Sequence, residues 1–312
     1  MTGQPTTSLD ATLGRIEARL SILLPEAEGQ EALNGAMADG VLTPGKRLRP
    51  LMSVIVAEDL GGDSAAAVDI GCAIEMVHAA SLVLDDLPCM DDADLRRGLP
   101  AVHRRHGEDA AVLASVALLS HAYGTVAAAP GIDAETRLEC IAVLARAVGV
   151  DGLVAGQFHD LRGGQSARPL GEIVHANALK TGALFSAAVE TGAIIAGANS
   201  QRRPLTDFAH ELGQAFQLLD DLLDGEPSAE ISGKTPGRDE RKSTVVSLLG
   251  HSPVRKRIER HVGQAHIHLE AVFGPGSRLA GLVDRIFERP RDSDLSGRSA
   301  RADALEQEAG AR

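Results

Sequence analysis

No tryptophan occurs anywhere in the 312 residues, and tyrosine occurs once, at Tyr123, beside six phenylalanines. The core must therefore be assembled from Leu, Val, Ile and Ala, a mixture that suits packed helices. Runs such as Ala110–Ala117 also let two helices approach closely. Cysteine is scarce too. Cys72, Cys89 and Cys140 form no C-x-x-C pair and no even framework, which argues against a disulfide scaffold and for free thiols in a reducing compartment. Positive charge is in deficit, with 31 Lys and Arg against 43 Asp and Glu and a net charge of −12. Phosphate backbones want a basic face, so nucleic acid is not the expected partner. The N-terminus has neither a basic leader region nor an apolar one, so no signal peptide is expected. No apolar run reaches the roughly 18 residues that a membrane span needs. The expectation is a cytoplasmic protein with no membrane span. Sustained strand alternation and an Asn-Gly hairpin signal are missing as well.

What is present is helical periodicity. Leu9, Leu13, Ile16, Leu20 and Leu23 mark one helix face behind a candidate N-cap, Ser8. Leu138, Ile141, Leu144 and Val148 repeat the pattern between Asp133 and a stop at Gly149. Leu205, Phe208, Leu212, Phe216 and Leu219 form a third stripe. Punctuation at Pro25, Gly61-Gly62, Pro130-Gly131, Gly163-Gly164, Pro253 and Gly274-Pro275 divides the chain into roughly ten to thirteen helices with short loops. The reading is an all-α single domain over residues 1–290. A polar tail over 291–312, rich in Arg, Asp, Ser, Glu and Ala, is expected to be disordered.

Two acidic clusters carry the chemistry. The first, DDLPCMDDADLRRG, contains Asp85, Asp86, Asp91, Asp92 and Asp94 and follows the apolar stretch IEMVHAASLVL. Carboxylates at a helix C-terminus repel one another and oppose the helix dipole. A hard divalent cation with oxygen ligands neutralises them, and magnesium is the usual choice where phosphates complete the shell. The second, GQAFQLLDDLLD, places Asp220 and Asp224 one turn apart, with Asp221 rotated by about 100°. Leucines surround these carboxylates, which does not fit a solvated acidic face. Either cluster alone could be a charged helix end. Together, on separate apolar helices, they form a metal clamp for a diphosphate. Basic clusters at Lys46–Arg49, Arg96–Arg105 and Arg238–Lys242 could bind phosphorylated small molecules.

At these residues the chain resembles the trans-isoprenyl (polyprenyl) diphosphate synthases. Their first motif, D-D-x(2 or 4)-D with R-R-G, is matched by Asp85, Asp86, Asp91, Arg96, Arg97 and Gly98. Their second, G-x-x-F-Q-x-x-D-D-x-x-D, is complete from Gly213 to Asp224. PGKRLRP at 44–50, GLVAGQFHDL at 152–161 and LKTGALF at 179–185 resemble further family elements, and Lys234 and Lys242 resemble the lysines after the second motif. The resemblance is nearest to bacterial carotenoid-pathway geranylgeranyl diphosphate synthases. It implies an isoprenoid synthase-type helical bundle with a central cavity, working as a homodimer. The implied substrates are isopentenyl diphosphate and an allylic diphosphate (dimethylallyl, geranyl or farnesyl), joined head to tail.

The resemblance also implies roles. Asp85, Asp86, Asp91, Asp220, Asp221 and Asp224 would hold magnesium, about three ions per site, with Asp85, Asp91 and Asp220 the most direct ligands. Arg96, Lys180 and Lys234 would bind the allylic diphosphate, with help from Lys242. Lys46, Arg49, His78 and Arg97 would bind isopentenyl diphosphate, and Thr181 and Gln217 would turn oxygen dipoles toward the cation. His78 lies seven residues before Asp85, on the same helix face. Gln157 and Asp160 belong near the site without an assigned role, whereas His103, His106 and His159 show no metal-ligand spacing. Ala80 and Ser81, both small, leave room for a chain longer than farnesyl, which favours geranylgeranyl diphosphate over a farnesyl product. A class I terpene cyclase is disfavoured by the intact second motif and by GKRLRP. A non-catalytic partner subunit is disfavoured because both acidic motifs are kept.

Overall fold

The computed structural model describes residues 8–162, 169–224 and 245–288, with the Asp224 side chain outside that set. Among them are fourteen α-helices, slightly more than the periodicity predicts. They are α1 Leu9–Leu23, α2 Glu31–Leu42, α3 Leu48–Asp59, α4 Ser64–Asp85, α5 Val102–His106, α6 Glu108–Ala127 and α7 Ala134–Val148. Then follow α8 Leu153–Arg162, α9 Leu170–Asn177, α10 Ala183–Ile195, α11 Arg202–Asp224, α12 Val245–Leu249, α13 His251–Phe273 and α14 Arg278–Phe287. A π-helical turn, Ala178–Gly182, joins α9 to α10 without a break in direction.

Local signals account for the helix ends. The Ser8 hydroxyl accepts from the Ala11 amide at 3.2 Å, and Asp133 accepts from the Thr136 amide at 2.8 Å. On α1 the inward residues are Ile16 and Leu20, as the stripe requires. On α7 the stripe is displaced. Cys140, Val143, Leu144 and Ala147 are buried, whereas Leu138 is 66% exposed. Its spacing is helical, but no described element covers its side of the helix.

Helix α4 is the axis of the domain, packed by α1, α2, α3, α6 and α10. It is buried without interruption from Ala66 to Val77. The two charges inside that run are paired: Asp69 with Arg19 at 2.6 Å, and Glu75 with Arg47 at 2.9 Å. Arg47 also holds Glu17 at 2.7 Å. A buried charge is tolerated only with such a partner.

Two expectations are corrected here. Three helical segments, Ser64–Asp85, Glu108–Ala127 and Leu170–Ile195, are long and apolar enough by length and composition to cross a membrane. Isolated polar residues interrupt each of these segments, which is why no apolar run stands out in the sequence. In Ser64–Asp85 the apolar window is 78% buried against other helices; in Glu108–Ala127 it is 44% buried. The second correction is a minimal hairpin, β1 Leu95–Arg96 and β2 Leu99–Pro100, paired antiparallel with Arg96 opposite Leu99. Arg97 (φ 53°) and Gly98 (φ 78°) form its two-residue turn. Both central residues of such a turn need left-handed backbone, so Arg-Gly here fills the role for which Asn-Gly is the usual signal.

Candidate active site

The first acidic motif begins where α4 ends. Asp85 is its last residue and Asp86 its cap. The chain then folds back on itself: the Asp91 amide donates to the Asp85 carbonyl at 2.9 Å, the Asp92 amide to Leu87 at 3.0 Å and the Ala93 amide to Asp86 at 3.1 Å. The four-residue spacer is thus a closed loop that returns Asp91 to Asp85. Burial, opposed by the charge of Lys180, raises the Asp85 pKa to about 6, and the neighbouring Asp91 and Asp86 carboxylates push the same way.

Asp86, Asp92 and Asp94 of the cluster have guanidinium partners. The Asp86 carboxylate receives Arg96 through Nε at 3.0 and 3.1 Å and also through a terminal nitrogen. Arg104 reaches both Asp92 and Asp94 at 2.9 Å. Neutralisation of this cluster is therefore shared between arginines and whatever Asp85 and Asp91 bind.

Across from α4 stands the π-helical turn. Its extra residue rotates successive side chains, a feature frequent at functional sites. The Lys180 ammonium lies 3.2 Å from Asp160 on α8 and 3.8 Å from Asp85. Next to it, the Thr181 hydroxyl donates to Gln217 Oε1 at 3.0 Å, and Gln217 Nε2 donates to Asp221 at 3.0 Å. One turn of backbone thus touches both acidic motifs. A side chain at Gly156 would put its Cβ 2.3 Å from the Lys180 amide nitrogen, so glycine there lets α8 press against this turn. The C-terminal end of α11, which carries Asp220 and Asp221, is held by a small apolar cluster of Ile173, Leu218, Leu222, Val245 and Val254.

A cationic pocket adjoins this wall. Arg49 is 9% exposed, with its guanidinium 4.6 Å over the Phe185 ring and its Nε buried without a hydrogen-bond partner among the described residues. Lys46 Nζ lies 5.9 Å from the centroid of Phe216, which meets Phe185 edge to face at 5.6 Å. The hairpin turn directs Arg97 away from Asp86 and onto the carbonyls of Thr43 (3.0 Å) and Pro44 (3.3 Å). Burial, opposed by the Glu75 charge and aided by that of Arg97, lowers the Arg49 pKa to about 10. Burial, then Arg49, Arg97, Arg96 and Arg47, hold His78 well below the usual imidazole range, so it is neutral. Excess positive charge in a partly desolvated pocket calls for an anion. Arg47 does not belong to this set; its ion pairs tie the 43–47 segment to α1 and α4.

Below Asp85 opens an apolar cavity of about 240 Å³. Val77, Ser81 and Leu84 of α4, Leu119 of α6, and Leu153, Val154 and Phe158 of α8 line it. Ser81 is on the wall, its hydroxyl turned back to the His78 carbonyl at 2.8 Å. Ala80 is wholly buried and is not part of the lining.

Residues 30–270 match the family model described as polyprenyl synthetase. The chain belongs to the polyprenyl synthetase family. Among its relatives is a geranylgeranyl diphosphate synthase of Pantoea ananas, 43% identical over 280 residues, covering 89% of this chain and 92% of the relative. A farnesyl diphosphate synthase of Geobacillus stearothermophilus is 38% identical over 279 residues, covering 88% and 94%. Among solved structures, the geranyltransferase from Helicobacter pylori complexed with magnesium and isoprenyl diphosphate superposes with a TM-score of 0.82 at 28% identity, covering 92% of this chain and 99% of that one.

Within this polyprenyl synthetase, Asp85 lines the cavity and meets Lys180, and Thr181 connects through Gln217 to Asp221, whereas the Asp86–Arg96 pair and Arg97 line a neighbouring pocket. Lys234, Lys242 and the Asp224 side chain lie outside the described residues, as does the 291–312 tail. Sequence reasoning left Asp160 without a role; the structure makes it the partner of Lys180, and the G-Q-x-x-D spacing was the available signal. Among the described residues no three His, Cys, Asp or Glu side chains are gathered into a preformed metal cage. An all-carboxylate donor set that leaves its shell open fits magnesium, which binds one or two protein carboxylates and completes its shell with substrate phosphates.

Proposed function

We propose that this protein condenses isopentenyl diphosphate with an allylic diphosphate head to tail (1′-4), and that its main product is geranylgeranyl diphosphate formed from farnesyl diphosphate. The arrangement that carries this reading is the Lys180–Thr181 turn, which joins two acidic motifs at the mouth of an apolar cavity beside a separate cationic pocket. The two named relatives are synthases of this kind, one making a twenty-carbon and the other a fifteen-carbon diphosphate.

The difficult step is breaking the allylic carbon–oxygen bond with charge separation. About three magnesium ions, when bound, supply Lewis acid charge to the leaving diphosphate. Asp85, Asp91 and Asp220 would be the direct ligands, with Asp86, Asp221 and Asp224 in support. Lys180 adds a point charge on the same diphosphate, and Arg96 fixes Asp86 while contributing charge nearby. Lys234 and Lys242 are assigned to that diphosphate on resemblance alone. Arg49, Arg97, Lys46 and neutral His78 hold isopentenyl diphosphate without metal. The hydrocarbon tail occupies the cavity below Asp85, and Ser81 on its wall leaves the space that a longer chain needs. The released proton leaves with diphosphate.

The working form is a homodimer in the cytoplasm. On α6, Val112, Leu113 and Val116 are exposed by 40%, 58% and 58% and form one apolar stripe suited to a second copy. The decisive experiment is incubation with radiolabelled isopentenyl diphosphate, farnesyl diphosphate and magnesium, then chromatography of the dephosphorylated products. A twenty-carbon alcohol is the expected outcome. With geranyl diphosphate as the primer in a second incubation, a fifteen-carbon end product would make it a farnesyl synthase, and no incorporation with either primer would refute prenyl transfer.

A further inference from the structure

Gln157 is the anomaly of the cavity. It is 7% exposed, and among the described residues neither its Oε1 nor its Nε2 has a hydrogen-bond partner. It lines the cavity together with Asp85, Ser81 and a set of aliphatic and aromatic side chains that includes its helical neighbours Leu153 and Leu161. A buried carboxamide with both ends unsatisfied is costly, and leucine, of similar size, would remove that cost. The helix that carries it is fixed in place. Gly156 abuts the Lys180 backbone, and Asp160, three residues on and on the same side of α8, holds the Lys180 ammonium at 3.2 Å. Gln157 therefore stands where the diphosphate end of the cavity passes into its hydrocarbon end. The second carboxamide of the site, Gln217, is in a different state: its oxygen accepts from Thr181 and its nitrogen donates to Asp221.

We infer that Gln157 is a further catalytic residue, whose amide oxygen faces the first carbons of the allylic substrate and stabilises the positive charge that develops there. The inference rests on the prenyl-transfer reading. When the carbon–oxygen bond breaks, the electron pair leaves with diphosphate and the charge is shared between the two ends of the allyl unit. The double bond of isopentenyl diphosphate then supplies the electrons of the new carbon–carbon bond. An amide dipole already aimed at this position needs no reorganisation and acts at full strength in a water-poor cavity. A neutral oxygen also suits this position better than a carboxylate, which would capture the cation as an ester. The dipole is worth more to the cation than to the intact substrate, so its removal should slow the chemical step without weakening binding.

The test compares wild type with Gln157→Leu and Gln157→Met. Three readouts are needed: the single-turnover rate of farnesyl condensation, the Kd of the unreactive farnesyl thiolodiphosphate, and the Tm of the free enzyme. In both variants the rate is expected to fall at least tenfold, the analogue Kd to stay within twofold, and the Tm to hold or rise because an unpaired buried amide has gone. Rates within threefold of wild type in both variants would overturn the assignment. So would a lower Tm together with weaker analogue binding, since that pattern marks a structural residue. A wild type that makes no prenyl product would instead overturn the underlying reading of function.

Discussion

The Lys180 ammonium stands between Asp160 at 3.2 Å and Asp85 at 3.8 Å, one cation shared by carboxylates from two helices. The nearer partner belongs to α8 and the farther one to the acidic motif itself. Asp160 therefore restrains Lys180 from closing onto Asp85 when no diphosphate lies between them. In Asp160→Asn this restraint is lost. A hydrogen bond to a charged group is worth about 1.5–3 kcal/mol, so the KM for farnesyl diphosphate should change roughly tenfold or more, whereas that for isopentenyl diphosphate stays within about twofold. Steady-state kinetics with each substrate varied in turn checks this; equal effects on both would show that Asp160 acts on the whole fold.

Metal dependence should be strict. Asp85→Ala or Asp220→Ala is expected to raise the barrier by at least about 4 kcal/mol, roughly a thousandfold in rate. Activity measured against magnesium concentration, with chelator as the limiting case, is the check. Full turnover in excess chelator would exclude the diphosphate clamp.

Two diphosphate sites should separate kinetically. Arg49 sits over Phe185 within reach of the Arg97 charge, whereas Lys180 sits with Asp85. Arg49→Ala and Arg97→Ala should mainly raise the KM for isopentenyl diphosphate, and Lys180→Ala should mainly impair the allylic substrate. A common pattern in all three variants would mean that the pockets are one.

Product length should respond to the cavity wall. In Ser81→Phe a ring enters the lining directly and is expected to shift the main product from twenty to fifteen carbons while the enzyme remains active. Ala80→Phe must instead push a ring into packed helices, at a cost of about 1–3 kcal/mol in stability. Any shortening by Ala80→Phe should therefore come with a lower Tm. Chromatography of the dephosphorylated products beside thermal unfolding separates the two. An unchanged product in active Ser81→Phe would place the floor elsewhere.

The Asp85 carboxyl gives a pH dependence with a definite sign. Burial raises its pKa in the folded protein to about 6, above the roughly 3.9 of an unfolded aspartate. Its contribution to metal-free stability is therefore fully present below about pH 4 and is lost as pH rises through about 6. Magnesium must displace that proton, so affinity in the presence of a diphosphate analogue should rise between about pH 5 and 7 and then level off. Calorimetry in buffers of different ionisation enthalpy would detect the released proton. A flat affinity over that range would contradict the shift.

Much of this protein is legible in its sequence because helices are written locally. The period of α1, the Ser8 and Asp133 caps, and the spacings of both acidic motifs depend only on residues within a turn or two of one another. The same locality limits the reading. Arg96 and Arg97 are adjacent, yet the hairpin sends one to Asp86 and the other to the Thr43 carbonyl, and that divergence depends on two left-handed residues in a turn. Leu138 keeps helical spacing with its neighbours and still faces solvent, because burial depends on what another helix brings to that side. Ala80 and Ser81 are equally small in sequence, and only the placement of α6 and α8 puts Ser81 on the cavity wall and Ala80 in the packing. Asp160 and Gln157 share one short motif, but one meets Lys180 and the other meets no partner in the cavity wall. Spacing along the chain sets which residues share a helix face; what that face meets is decided by packing among helices far apart in sequence, which no local pattern records.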